Sequence, residues 1–144
     1  MPRGYPDYFG QQMFPKYGGA KFTSKYKVIT TSGNVEVLAI SGKGRIYGGY
    51  MYTKDPDSTK NDRFRLRIDG ETIPAPDFEA LLSYGHISTT DTLLYIIYYD
   101  ELTPKYVVGL KNNITFDYDF AVLYNKTSAN DVTVEVNVYY TLIE

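Results

Sequence analysis

Apolar and polar residues alternate along most of this chain. Tyr26, Val28 and Thr30 open the pattern, followed by Val35, Val37, Ala39 and Ser41. Between Arg45 and Thr53, the residues Ile46, Gly48, Tyr50 and Tyr52 fall on one face. Phe64, Leu66 and Ile68 alternate with Arg63, Arg65 and Arg67, and an apolar stretch follows at 93–99. Ile114, Phe116, Tyr118, Phe120, Val122 and Tyr124 form one long run; Val132, Val134, Val136, Val138, Tyr140 and Leu142 form another. A period of two sends successive side chains to opposite faces, so these runs predict half-buried strands of an antiparallel sheet. The abundance of Val, Ile, Thr and Tyr agrees.

The punctuation between runs is short. Ser32-Gly33-Asn34 predicts a link between the first two strands. Asp69-Gly70 predicts a type I′ hairpin joining 64–68 to the brief return strand 71–73, which Pro74 and Pro76 end. One helix is expected, at 77–84, with Asp77 as its cap, Leu81 and Leu82 facing inward and Gly85 closing it. The expected fold is all-β: an antiparallel β-sandwich, jelly-roll-like, with about eight strands and one short helix.

Residues 1–24 break this pattern. They contain no Val, Ile or Leu, yet carry Tyr5, Tyr8, Phe9, Phe14, Tyr17 and Phe22 among four glycines and three prolines. Neither helix nor central strand is expected there. The division is an extended N-terminal arm, 1–24, and a β-sandwich domain, 25–144. Disordered segments are poor in aromatics, so the arm reads as one that lies on this domain or docks on a neighbouring subunit. The alternative is a disordered tail.

Composition narrows the chemistry. The chain has 144 residues, a net charge of −2, no Cys, no Trp, one His and 16 Tyr. The absence of Cys excludes disulfides, a thiolate nucleophile and Cys-ligated metals. The near-neutral charge argues against a nucleic-acid partner, and no apolar run approaches a membrane span. Pro2, Gly4, Pro6 and Asp7 stand where a signal peptide would place its apolar region, so no such signal is expected.

Each candidate site has a plainer reading. Asp55, Asp57 and Asp62 in the 54–62 loop could supply oxygen ligands to Ca²⁺, but Lys60 and Leu66 occupy the EF-hand Gly and Glu positions, which favours a solvated loop. His86 stands alone, without a nucleophile-elbow sequence, and reads as structural. Asp117 and Asp119 fall on one strand face, where a solubility role is simpler than a hydrolytic pair. No catalytic residue, metal site or cofactor is expected. Asn113 and Asn125 begin glycosylation sequons that read as chance matches. Arg63, Arg65 and Arg67 could meet an acidic neighbour or blunt an exposed sheet. Tyr95, Tyr98, Tyr99 and Tyr106 gather around Asp100 and Glu101. Tyr suits a core edge, a subunit interface or stacking on sugar rings. This group is therefore expected to form part of the core and a subunit interface, or else a glycan platform.

Some segments also look familiar. Residues 35–52 (VEVLAISGKGRIYGGYMY) resemble the opening strands of small β-sandwich virion proteins of tailed phages and related viruses: an apolar strand, a Ser-Gly-x-Gly corner and an aromatic-bearing strand. RLRIDGETI, NNITFDYDFAVLYN and VTVEVNVYY resemble their later strands. The resemblance implies a non-enzymatic capsid decoration, minor capsid or tail-associated protein located in the virion. Such a protein would act by symmetric self-association, as a trimer or higher, and alongside other virion proteins. Its interface would include Tyr5, Tyr8, Phe9, Phe14 and Tyr17 of the arm. The alternative is a glycan-binding, receptor-contacting module. The arm and the helix at 77–84 are not part of the pattern that carries the resemblance.

Overall fold

The computed structural model describes residues 20–54, 61–83, 93–100, 102 and 105–143. Among these residues, ten strands and one helix follow in chain order: β1 (Lys21–Ile29), β2 (Gly33–Ser41), β3 (Gly44–Lys54), β4 (Arg63–Ile68), β5 (Glu71–Ile73), α1 (Phe78–Ser83), β6 (Leu94–Asp100), β7 (Lys105–Leu110), β8 (Ile114–Phe116), β9 (Asp119–Lys126) and β10 (Val132–Leu142). Two antiparallel sheets form the sandwich. The larger is ordered β1-β10-β3-β7-β6, with β8 also pairing β3; the smaller is β2-β9-β4-β5. The first four strands alternate between sheets, and β9 and β10 return beside β2 and β1. This is the nested connectivity of a jelly roll, with β6 added at one edge.

The core lies between the sheets. Val132, Val134, Val136 and Val138 of β10, Ile46 and Met51 of β3, and Val108 of β7 face Leu38, Phe64, Leu66, Phe120, Val122 and Tyr124 of the smaller sheet, all buried. The helix α1 closes one end. Asp77 caps it by accepting the Ala80 amide at 2.8 Å, and Phe78 and Leu81 are buried beneath it. Phe78 stacks on Tyr106 with centroids 4.6 Å apart and meets the edge of Phe64.

Asp69 and Gly70 both have positive φ, 53° and 84°, as a type I′ hairpin between β4 and β5 demands. Four details depart from the alternation, besides a bulge at Val37 of β2 that buries Leu38 and Ile40 and leaves Ala39 and Ser41 exposed. The run from Ile114 to Tyr124 is two strands in two sheets: β8 pairs β3 and β9 pairs β2 and β4, with the corner at Asp117–Tyr118. Ile46 does not share a face with Tyr50 and Tyr52. A bulge opposite Tyr139–Tyr140 inserts Tyr47, and Gly48 takes φ 151° there, so the pleat changes sides. The strand β7 follows no clean alternation; with the split run it raises the number of strands to ten. Residues 21–24, grouped with the arm by composition, lie in β1, where Lys21 pairs with Tyr140.

The fourth departure concerns β1 itself. The alternation predicts a half-buried strand with Tyr26 and Val28 on one face; they are 64% and 47% exposed. Phe22, Ser24, Tyr26 and Val28 lie in register with Tyr139, Asn137, Glu135 and Thr133, on the outer face of the larger sheet. The opposite face of β1 carries Lys21, Thr23, Lys25, Lys27 and Ile29, of which only Ile29 is buried against the core. The alternation is real, but its apolar phase points outward.

Candidate functional site

The two outer faces of the sandwich differ in chemistry. On the smaller sheet, Arg63, Arg65 and Arg67 project from β4 across Asn125, Leu123 and Ala121 of β9. Arg67 donates to Glu36 at 2.8 Å and to Asp119 at 3.1 Å. Those two carboxylates, Glu36 first, raise the guanidinium above its ordinary pKa by accepting its hydrogen bonds. Arg63 donates to the Ala75 carbonyl at 3.0 Å. Glu36 and Asp119 belong to the same sheet face, and Asp77, the cap of α1, lies 3.9 Å from Arg63. Asp119 is thus ion-paired and apart from Asp117, which sits in the bend. Ala121 and Leu123 are buried although they face outward, as residues beneath long arginine stems are.

The corner beside this face is organised by Asp69. Its carboxylate accepts the amides of Asp117, Tyr118 and Asp119 at 2.8–3.2 Å, and the Tyr118 hydroxyl donates to the Asp69 carbonyl. The backbone donors, Tyr118 foremost, hold the Asp69 carboxyl below its usual range. Asp62 plays a related part on the other side of the fold. It is fully buried and accepts from the Tyr124 hydroxyl (2.7 Å), the Thr127 amide (2.7 Å) and hydroxyl (2.9 Å), and the Ser128 amide and hydroxyl. Its oxygens are thus spent on binding the 127–128 turn to β9. Asp55, Asp57 and His86 lie outside the described residues. Among the described residues, no three His, Asp or Glu side chains gather where a metal could sit.

The larger sheet presents aromatic rings. Register places Phe22 and Tyr26 of β1, Tyr139 of β10, Tyr50 and Tyr52 of β3, and Tyr95 and Tyr98 of β6 on this one surface. Phe22 and Tyr139 pack with centroids 4.8 Å apart. Polar groups tie the rings down. Ser24 donates to Asn137 at 2.7 Å, Asn137 to Glu135 at 3.0 Å, and Tyr52 to Glu135 at 2.9 Å. The hydrogen bond to Glu135 raises the Tyr52 phenol above its ordinary pKa, because it favours the neutral form. Lys54 lies over the Tyr52 ring and Lys105 over Tyr98, at 5.5 and 5.9 Å from the centroids.

The Tyr95–Tyr106 group divides between two faces. A bulge at Ile97 shifts the register of β6, so Tyr98 stands opposite Val107 on the outside while Tyr99 stands opposite Tyr106 on the inside. Phe78, Tyr106 and Tyr99 then form one stack from core to surface, with Tyr99 and Tyr106 6.4 Å apart. Tyr95 is on the outer face, lying across Gly109: a Cβ on Gly109 would stand 2.4 Å from the ring. Tyr95 and Tyr47 wall a groove of about 390 Å³, with Gly48, Gly49, Leu110, Lys111 and Asn112 as the rest of its lining. Sequence reasoning missed this groove, because the bulge that turns Tyr47 outward is not visible in a period-two reading. Tyr5, Tyr8, Phe9, Phe14 and Tyr17 lie outside the described residues.

No family model and no curated protein matches this chain. Among solved structures, a chain of the cyanophage Pam1 capsid asymmetric unit is similar over 99% of this chain and 90% of that one, with a TM-score of 0.46 and 14% identity.

Proposed function

We propose that this protein is a non-enzymatic structural component of a virion that acts by symmetric self-association, its N-terminal arm docking on a neighbouring subunit. The observation that carries the reading is the outer face of the larger sheet. It sets at least six aromatic rings on four strands, where a sandwich surface is ordinarily polar. Protein interfaces are enriched in Tyr and Phe, and contiguous exposed aromatic surface marks a contact site. The segments that resemble phage virion sandwiches supply the setting. Capsid decoration, minor capsid and tail-associated roles share this mechanism.

The test is removal of residues 1–19, which leaves β1 paired to β10. Sedimentation of the full chain should show a trimer or larger. The truncated chain should move toward the monomer with an unchanged urea midpoint. A full chain that stays at 16.4 kDa at high concentration and binds no particle overturns the reading.

A second reading, contact with surface glycans, is favoured by the placement of Tyr95 and Tyr98 together on the outer face. Rings so placed can stack on sugars. Tyr99 and Tyr106, committed to the stack on Phe78, would contribute little to it. A glycan array without hits removes this reading.

A further inference from the structure

We propose that the groove between Tyr47 and Tyr95 is the seat of the N-terminal arm, and that it receives the segment around Phe14–Tyr17. This rests on reading the chain as an arm-bearing assembly protein, and it names the surface that the arm occupies. Three observations lead to it.

The first is where the arm begins. Residues 1–19 precede Lys21, which opens β1 at the edge of the larger sheet. Phe22 is in register with Tyr139, and Tyr139 with Gly48, so the start of β1 is level with the groove. The groove's β3 wall is two strand spacings away, about 10 Å. An extended chain advances about 3.3 Å per residue. Three to six residues back from position 20, at Tyr17 to Phe14, the arm has therefore covered the distance. Gly18-Gly19 supplies the freedom to leave the line of β1.

The second is chemistry. The groove has two tyrosine walls and a floor of Gly48 and Gly49; at Gly48 a Cβ would meet nothing nearer than 3.9 Å, so its missing side chain leaves depth for a ring. The arm carries aromatics at intervals, bracketed by Pro15 and by glycines. Offset or edge-on packing of such rings between two tyrosines is a favourable contact beyond the area buried. Asn112 and Lys111 at the rim can satisfy the carbonyls of a strand that has no donors at proline.

The third is continuity. The Phe22–Tyr139 pair fills the sheet surface between the root of the arm and the groove. An arm crossing there remains on aromatic surface throughout.

The chain has no cysteine, so an engineered pair is unambiguous. Phe14→Cys and Asn112→Cys are combined in the full chain and oxidised under mild conditions. The Phe14→Cys, Arg65→Cys pair, which places the second thiol on the smaller sheet, is the control. Assembly of each is followed by sedimentation. The expected result is a disulfide formed at least tenfold faster than in the control; a link between different chains also supports the exchange of arms between neighbours. A disulfide formed as fast but within one chain still places the arm in the groove, and it overturns the exchange between neighbours. No disulfide above the control, with assembly intact, overturns the groove assignment alone. Neither disulfide nor assembly overturns both. A second measurement uses Asn112→Trp, an exposed-loop substitution that fills the groove. Tryptic cleavage after Lys16 should be about tenfold faster in it than in the unaltered chain; equal rates overturn the proposal. Oligosaccharides that shift the NMR signals of Tyr47 and Tyr95 in the full chain would also overturn it, by assigning the groove to a glycan.

Discussion

Two aspartates show how far residue identity alone carries. Asp62 sits in a polar stretch whose spacing suggests a solvated loop, with oxygen ligands for a cation as the bolder reading. The fold instead buries it, with donors about sixty-five residues further along the chain. Nothing local to Asp62 announces partners that distant. Asp62→Ala removes the acceptor of two turn amides and the 2.7 Å partner of the buried Tyr124 hydroxyl. At about 1–3 kcal/mol per buried group left unsatisfied, the loss should be about 2–4 kcal/mol by urea unfolding. A loss under about 1 kcal/mol would mean that water replaces the carboxylate. Asp69 is the opposite case. Its place in the hairpin is legible from Asp-Gly, but its second task, gathering three amides of the β8–β9 corner, is not. Its pKa is lowered in the folded chain, so its ionised form is the stabilising one. The stability it contributes is present above the unfolded carboxylate value, about 3.9, and is lost as pH falls through the lower folded value. Urea midpoints measured from pH 6 downward should fall in that acid range for the native chain. Asp69→Asn should start lower and lack that component. Parallel curves for the two proteins would show that the amides do not sense the charge.

At the scale of elements, the strands were legible where packing respects a period of two, as in β4 and in β10 from Val132 to Val138, but not in β2, where a bulge at Val37 moves the buried phase to Leu38 and Ile40. They were obscured where the backbone changes sides. The run from Ile114 to Tyr124 keeps its rhythm through a corner, because Asp117 and Tyr118 take a bend that preserves parity while the chain passes from one sheet to the other. The bulge at Tyr47 does the reverse and shifts the phase within one strand. In β1 the phase was read correctly, but its direction was not: alternation says which residues share a face and not which face is covered. Close backbone approach gives a test of the observed register. A Cβ on Gly49 would stand 2.4 Å from the Asn137 carbonyl oxygen, so β3 and β10 would have to separate locally. A Cβ on Gly109 meets only the far atoms of the Tyr95 ring, which can swing away. Gly49→Ala should therefore cost about 3 kcal/mol or prevent folding, and Gly109→Ala about 1 kcal/mol. Thermal unfolding of the two variants decides the order. If Gly109→Ala is the more damaging, the pairing drawn for β3 is wrong.

The whole molecule has a sidedness that neither residues nor strands reveal singly. Both outer faces are crossed by long side chains, yet one pairs its charges internally and the other leaves rings uncovered. Arg67 with Glu36 and Asp119 satisfies the smaller sheet within itself, and exposed pairs of this kind add little to stability or affinity. The larger sheet has no such closure. Its polar track of Ser24, Asn137, Glu135 and Tyr52 fixes the rings in place without hiding them, and rings held in advance lose less freedom when a partner covers them. Assembly should therefore depend on one face and not on the other. Tyr26→Lys with Tyr50→Lys places two charges on the aromatic face at exposed positions, where folding stability should change by no more than about 0.5 kcal/mol each. Arg65→Glu reverses a charge at a half-buried position on the opposite face. Sedimentation equilibrium of the full chains should show association weakened at least tenfold by the tyrosine pair, about 1.4 kcal/mol, and unchanged by Arg65→Glu. Equal weakening by both would make the contact a matter of net charge, and no weakening by the tyrosine pair would move the interface off this sheet.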